Sequence, residues 1–113
     1  MTLVGNVHTT SVRPAKNKIT IRQLFTMTAG FSYDLNSPSL KKCREETDGK
    51  CPTRIAMKYP AKEPLLFEPG YRLEYNQCHD VLAALVQVLS GMRFGEYVKK
   101  NIFDVCGMKN SAF

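Results

Sequence analysis

Phe67-Glu68-Pro69-Gly70-Tyr71-Arg72-Leu73-Glu74-Tyr75-Asn76-Gln77-Cys78-His79-Asp80-Val81-Leu82-Ala83-Ala84-Leu85-Val86-Gln87-Val88-Leu89-Ser90-Gly91 is the stretch from which the architecture is read. Pro69-Gly70 is a turn dipeptide, because proline fixes one φ and glycine accepts the positive φ that follows. It closes an extended, docked run from Lys62, in which Pro64 and Pro69 flank Leu65-Leu66-Phe67. Beyond it, Cys78, Val81, Leu82, Leu85, Val88 and Leu89 recur at helical spacing up to Gly91, which predicts the longest helix over about His79 to Ser90. Ala84 and Val86 carry apolarity almost all round, so this helix is expected to be buried by neighbours on most sides. Tyr75 falls on the tight connection between the extended run and the helix.

Working outward toward the N-terminus, Thr20-Ile21-Arg22-Gln23 fits a capping box. Ile21, Leu24, Phe25 and Thr28 then share a face, and Gly30 supplies a left-handed stop. Residues 1–18 read as an irregular or hairpin lead-in, with Gly5-Asn6 as a tight turn within Thr2 to Val12. Between Ser32 and Thr53 the chain is polar and turn-rich, a long loop with a helical turn at Ser39 to Glu46 and a short helix capped by Thr53 through Met57. Toward the C-terminus an amphipathic helix is expected from Phe94 to Val105, burying Phe94, Tyr97, Val98 and Phe103, with Gly107 closing it. The reading is mainly α, with long ordered loops and at most a short β-hairpin.

The chain has 113 residues, 43% of them hydrophobic, which suits one small globular domain. A domain of this size leaves roughly a third of its unfolded-chain surface exposed, so any absent neighbour leaves an apolar face bare. The net charge of +6 is scattered. Its densest cluster, Lys41, Lys42 and Arg44, runs directly into Glu45, Glu46 and Asp48 without interleaved aromatics, which argues against a nucleic-acid surface. The four cysteines show no Cys-x-x-Cys pair, and His8 and His79 stand alone, so no metal site is expected. Cys43 and Cys51 bracket a short polar loop that a disulfide would close in an oxidising compartment, whereas Cys78 and Cys106 read as core thiols. No apolar stretch approaches the ~20 residues of a membrane span, and Met1 to Thr10 lack signal-peptide character. The chain reads as soluble, with the bacterial cytoplasm and, given a leader upstream of Met1, export both open.

Three stretches together resemble the middle of the serine β-lactamase, penicillin-binding-protein and β-lactamase-related esterase family. Ile19 through Phe31 is similar to its capped helix running into a His-Thr-Ser-Gly-Leu turn, with Met27 and Ala29 in place of the His and Ser. Phe67-Glu68-Pro69-Gly70 leading to Tyr75-Asn76-Gln77 and on to Ser90-Gly91 resembles its tyrosine motif and the helix that follows. Phe94-Gly95-Glu96-Tyr97 through Gly107-Met108-Lys109 resembles its Pro-Leu-Gly-Met-Lys ending, with Val105-Cys106 for Pro-Leu. The resemblance implies the helical lobe of the β-lactamase/transpeptidase-like fold over residues 19–113, with residues 1–113 as a single partial domain and the sheet-bearing lobe largely absent.

In that family a serine attacks an acyl carbonyl, assisted by a base and an oxyanion hole. The nucleophile lies in Ser-x-x-Lys, opposite a Tyr-x-Asn motif and a Lys-Thr-Gly-like strand. The resemblance makes Tyr75 the candidate general base. A free tyrosine, with a pKa near ~10, is a poor base at neutral pH unless cations stabilise its phenolate; in the family those cations are lysines of motifs not found here. The motif's Asn falls at Gln77, which is the candidate substrate-binding residue, while Asn76 is one position early and points elsewhere. Neither metal nor cofactor is implied.

Ser39-Leu40-Lys41-Lys42 is a formal Ser-x-x-Lys. It sits in a polar loop downstream of the capped helix, not upstream at the start of a buried helix, and is rejected as the nucleophile. His79 and Asp80 are helical neighbours that do not face each other, so no triad is assembled from them. The expected function is that of a fragment of a serine hydrolase acting on a small-molecule acyl substrate (a β-lactam, a D-Ala peptide or an ester), without turnover alone. Two alternatives stand beside it: a small helical interaction or scaffold module that self-associates or binds a partner through an exposed apolar face, and a mini-esterase using Ser39.

Overall fold

The structure is a computed structural model and describes residues 2–5 and 11–113. Strands β1 (Leu3–Gly5) and β2 (Val12–Pro14) pair antiparallel, Leu3 opposite Pro14 and Gly5 opposite Val12. Gly5, expected in a turn, is instead the last residue of β1, and Asn6 lies outside the described residues. Leu65 extends this ribbon by a parallel bridge to Val4: its N–H donates to the Leu3 carbonyl and its carbonyl accepts from Gly5 N–H, both at 2.7 Å.

The other edge of the extended run is satisfied as well. Leu66 N–H donates to Gly30 O at 2.8 Å, Gly70 N–H to Thr28 O at 2.8 Å and Glu74 N–H to Met27 O at 3.1 Å. The expected run is therefore docked from Leu65 to Gly70, its first residue Lys62 instead closing a 3-10 turn, and the docking continues to Glu74; Tyr71 N–H donates to Glu68 O at 3.0 Å across the Pro69-Gly70 turn. Glu68 anchors the lead-in to this turn, accepting from Arg13, with which it forms an ion pair, and from the backbone amides of Lys16 and Asn17.

Helix α1 (Ile21–Phe25) carries the expected capping box. It ends sooner than expected, at Thr26, with Met27 at φ 56° taking the first left-handed position and Gly30 at φ 91° the second. Met27 bends inward at that point and joins Leu24, Ala29 and Cys78 in the core cluster, against which Ile19, Phe31, Val81 and Leu82 pack. The polar segment after it is more regular than its composition suggests: α2 (Pro38–Glu46) is a full helix, because Pro38 is preset for a first turn and buried Ser37 accepts from Leu40 N–H at 3.4 Å. Helix α3 (Thr53–Ala56) follows, with Pro52 rather than Thr53 at the capping position.

Helix α4 (Cys78–Ser90) ends on Gly91 at φ 71° and packs on α1 and α3. Its expected burial on most sides is not found. Only Cys78, Ala83 and Ala84 are buried, while Val88 and Leu89 are 57% and 77% exposed. The sequence gives α4 an apolar surface that the described residues do not cover. Helix α5 (Phe94–Val98) opens with the Glu96 carboxylate accepting from Arg93 N–H at 3.2 Å. It then widens into a π-helical turn, Lys99–Phe103, so the predicted single helix to Val105 is two segments. Cys106 consequently lies in the turns beyond the helix and is exposed, not a core thiol; Cys78 is buried, and all four cysteines are free thiols.

The Cα radius of gyration is 15.7 Å, against about 13 Å for a compact domain of this length. The accessible surface is 7916 Å², about 1,600 Å² more than the size scaling gives. The chain is mainly helical with one two-stranded sheet, the architecture of a helical lobe. No single described helix is long and apolar enough to cross a membrane.

Candidate functional site

The connection into α4 is built by Asn76. Its Oδ1 accepts from Cys78 N–H at 2.8 Å and its Nδ2 donates to Glu74 O at 2.8 Å, so the side chain is folded onto its own backbone and 2% exposed. This is the local Asx arrangement that starts helices, and it explains why Asn76 points away from its neighbours. It also sends Tyr75 and Gln77 to opposite sides.

Tyr75 points outward. It is 67% exposed, and its ring stands edge-on to that of Tyr33, centroids 5.1 Å apart at 67°, a geometry favoured by the ring quadrupoles. Phe67 and Tyr71, aromatics close to it in sequence, do not bury it: Phe67 is in the core, its ring covered by the Arg72 guanidinium 4.6 Å from the centroid, and Tyr71 is 78% exposed. Tyr33 is the residue missed in the sequence. It lies in a segment without periodicity, where an aromatic gives no indication of which side chain it meets.

Gln77 points inward. It is 3% exposed, and its Oε1 is buried without a hydrogen-bond partner among the described residues. A buried amide oxygen left unpaired costs about 1–3 kcal/mol. Gln77 lines a small cavity of about 10 Å³ with Phe31, Asp34, Ser37 and Glu63, about the space of one water-sized group. Tyr75 and Gln77 thus do not share an open cleft in this arrangement.

Ser39 sits half-buried in the first turn of α2, with Oγ 3.3 Å from Ser37 Oγ and its amide donating to Glu63 Oε1 at 3.2 Å. Lys42 pairs with Glu46 Oε1 at 3.7 Å, one turn further along and not with Ser39. His79 and Asp80 are both exposed in the first turn of α4, where the Asp80 carboxylate complements the helix dipole. Among the described residues no three His, Cys, Asp or Glu side chains gather as metal ligands.

The larger concavities lie away from Tyr75. An apolar groove of about 450 Å³ runs between α1, α4 and α5, lined by Ile21, Phe25, Leu82, Leu85, Leu89 and Phe94. A second cleft of about 440 Å³ is lined by Arg93, Glu96, Lys99, Phe103 and Phe113.

Known proteins are similar to this chain in sequence and fold. Lovastatin esterase of Penicillium rubens is 29% identical over 103 residues, covering 88% of this chain and 25% of the relative. Monacolin J acid methylbutanoyltransferase of Aspergillus terreus is 26% identical over 102 residues, covering 90% of this chain and 25% of the relative. Unliganded simvastatin synthase from Aspergillus terreus superposes with a TM-score of 0.64 at 25% identity, over 96% of this chain and 28% of that one. The chain thus spans about a quarter of the length of the relatives it matches. The family model described as Beta-lactamase matches residues 9–113, nearly the whole chain, and the chain belongs to that family.

Proposed function

We propose that this chain is the tyrosine-bearing helical part of a serine acyl-transfer enzyme, and that Tyr75 is its general base. The supporting observation is the outward presentation of Tyr75, fixed from behind by the Asn76 turn and from the side by Tyr33. In the proposed reaction a serine hydroxyl from polypeptide outside this chain gives its proton to the Tyr75 phenolate oxygen as it attacks the acyl carbonyl, and the proton then passes to the leaving oxygen. A cation must stabilise that phenolate, and the Ser-x-x-Lys lysine supplies it. The relatives are named as an esterase and a methylbutanoyltransferase, which favours a carboxylic ester over a β-lactam or a D-Ala peptide. Gln77 reaches substrate by rotating out of its cavity, and its Oε1 gives up no hydrogen bond to the described residues in doing so.

The whole of residues 1–113 forms one partial domain in this reading. The apolar groove beside α4 is the seat of the sheet-bearing lobe, and the surplus surface of about 1,600 Å² is roughly twice the ~800 Å² that a standard interface takes from one partner. Among the described residues no serine hydroxyl is hydrogen-bonded to an acidic or basic side chain, and the chain alone is expected not to turn over ester. An active-site-directed fluorophosphonate tests this directly: no label is expected, and covalent modification of Ser39 sinks the proposal in favour of a mini-esterase. In an intact hydrolase containing this segment, Tyr75→Phe lowers kcat by about 10²–10⁴-fold; unchanged kcat removes Tyr75 from the mechanism. Light scattering decides the occupant of the groove, since a stable homodimer that hides it from an apolar dye favours the interaction-module alternative.

A further inference from the structure

The chain folds back at the C-terminal end of α2 so that two cysteines flank one threonine. Thr47 ends the helix, its amide donating to Cys43 O at 3.0 Å and its hydroxyl to the same oxygen at 2.7 Å. Asp48 at φ 50° and Gly49 at φ 75° then reverse the chain in the left-handed region, and Cys51 is itself held at φ 35°. The Cys51 amide donates to Thr47 Oγ1 at 3.0 Å, and its sulfur lies 3.6 Å from that hydroxyl. Thr47 is thus hydrogen-bonded to both cysteines, to the Cys43 carbonyl on one side and to the Cys51 amide on the other. Two non-glycine residues held at positive φ within four positions are unusual, and their effect is to bring Cys51 back to the residue that caps α2 beside Cys43.

We infer that Cys43 and Cys51 form a reversible dithiol–disulfide pair that clips the end of α2 to the start of α3. Neither thiol has a part in the acyl transfer proposed above, and the inference stands independently of it. The two sulfurs differ in access: Cys43 is fully buried, and Cys51 is partly exposed. Burial pushes the Cys43 thiol up from its ordinary value, with the Cys51 contact adding to the effect, so Cys51 meets the oxidant and Cys43 resolves. With a glutathione disulfide as oxidant, the Cys51 thiolate attacks one glutathione sulfur and expels a glutathione thiolate. Cys43 then loses its proton and attacks the Cys51 sulfur of the mixed disulfide, expelling the second thiolate. Two protein thiols and one glutathione disulfide thus give one protein disulfide and two glutathiones. The bond would tie α2, whose capping Ser37 lines the Gln77 cavity, to α3, which packs on α4.

The test equilibrates the full chain with glutathione and glutathione disulfide at neutral pH, alkylates the remaining thiols, and digests with trypsin, which cuts at Arg44 and Lys50 between the two cysteines. The expected product joins the Cys43 and Cys51 peptides, with exposed Cys106 alkylated. Its formation constant should exceed that of the same chain in urea by about tenfold or more, because the fold holds the two cysteines on either side of Thr47. Cys51→Ala should abolish the joined product and leave Cys43 reduced. Equal constants in buffer and urea, or a Cys51–glutathione adduct that persists without resolving, would overturn the inference.

Discussion

Replacing Gly30 by alanine isolates the contact that holds the Tyr33 segment to the extended run. An ideal Cβ at Gly30 would stand 2.5 Å from the Phe67 carbonyl oxygen and 3.4 Å from Leu65 Cβ, at φ +91°. The oxygen belongs to the backbone of a run hydrogen-bonded on both edges, including the Leu66 N–H bond to Gly30 O at 2.8 Å, so it cannot swing aside like a side chain. The left-handed backbone costs an alanine about 1–2 kcal/mol, offset by about 0.4–1 kcal/mol from the stiffer unfolded chain. Forcing the contact open adds about 1–3 kcal/mol, for a total near 2–4 kcal/mol. Gly49→Ala is the control, since φ there is +75° and no atom stands within 4 Å of its Cβ position. It should cost at most about 1.5 kcal/mol, the backbone difference alone. The assay is urea unfolding of both variants and the parent, followed by circular dichroism; thermal midpoints should fall by roughly 8–16 °C for Gly30→Ala. A Gly30→Ala variant no less stable than Gly49→Ala would refute the docking of segment 65–74 against 27–30.

Other consequences are measurable in the same way. The Arg13 hydrogen bond, helped by two backbone amides, holds the Glu68 carboxyl below its ordinary 4.5; its stabilisation is therefore complete above that value and fades as pH falls through the lower folded one. Urea midpoints should drop more steeply from pH 5 to pH 3 for the parent than for Glu68→Gln, and parallel curves would contradict the anchor. Tyr59 donates to Glu46 and its hydroxyl is pushed up to about 12. Of the five tyrosines, one should resist ionisation in an ultraviolet titration at pH 11 and titrate normally in Glu46→Gln. Asn76→Ala removes the acceptor for the buried Cys78 amide and should cost about 1–2 kcal/mol; a neutral result would mean that α4 starts without the Asx turn.

The parts legible in the sequence are those set by local backbone chemistry. The Thr20–Gln23 capping box, the Pro69-Gly70 turn and the Gly91 stop each follow from two or three adjacent residues, and each stands where it was read. The same is true of Asn76, whose single-position offset from the family asparagine already directed it elsewhere. Helix α2 is hard to read from sequence because its polar composition hides an apolar stripe of only Leu40 and Cys43, the two buried residues of the helix. Cys106 falls outside the core that periodicity assigns it because a π-helical turn shifts the register after Val98, and periodicity does not register a widened turn.

The sequence by itself determined the family and the order of elements, since three motifs in register carry both. Tertiary structure alone decided which way each site residue faces: Tyr75 and Gln77 are two positions apart, yet one stands 67% exposed against Tyr33 and the other is 3% exposed. It also decided that α4, apolar almost all round, is left half bare. The physical reason is that hydrophobic periodicity records which surfaces must be covered, whereas what covers them depends on contacts distant in the chain, or on polypeptide beyond it.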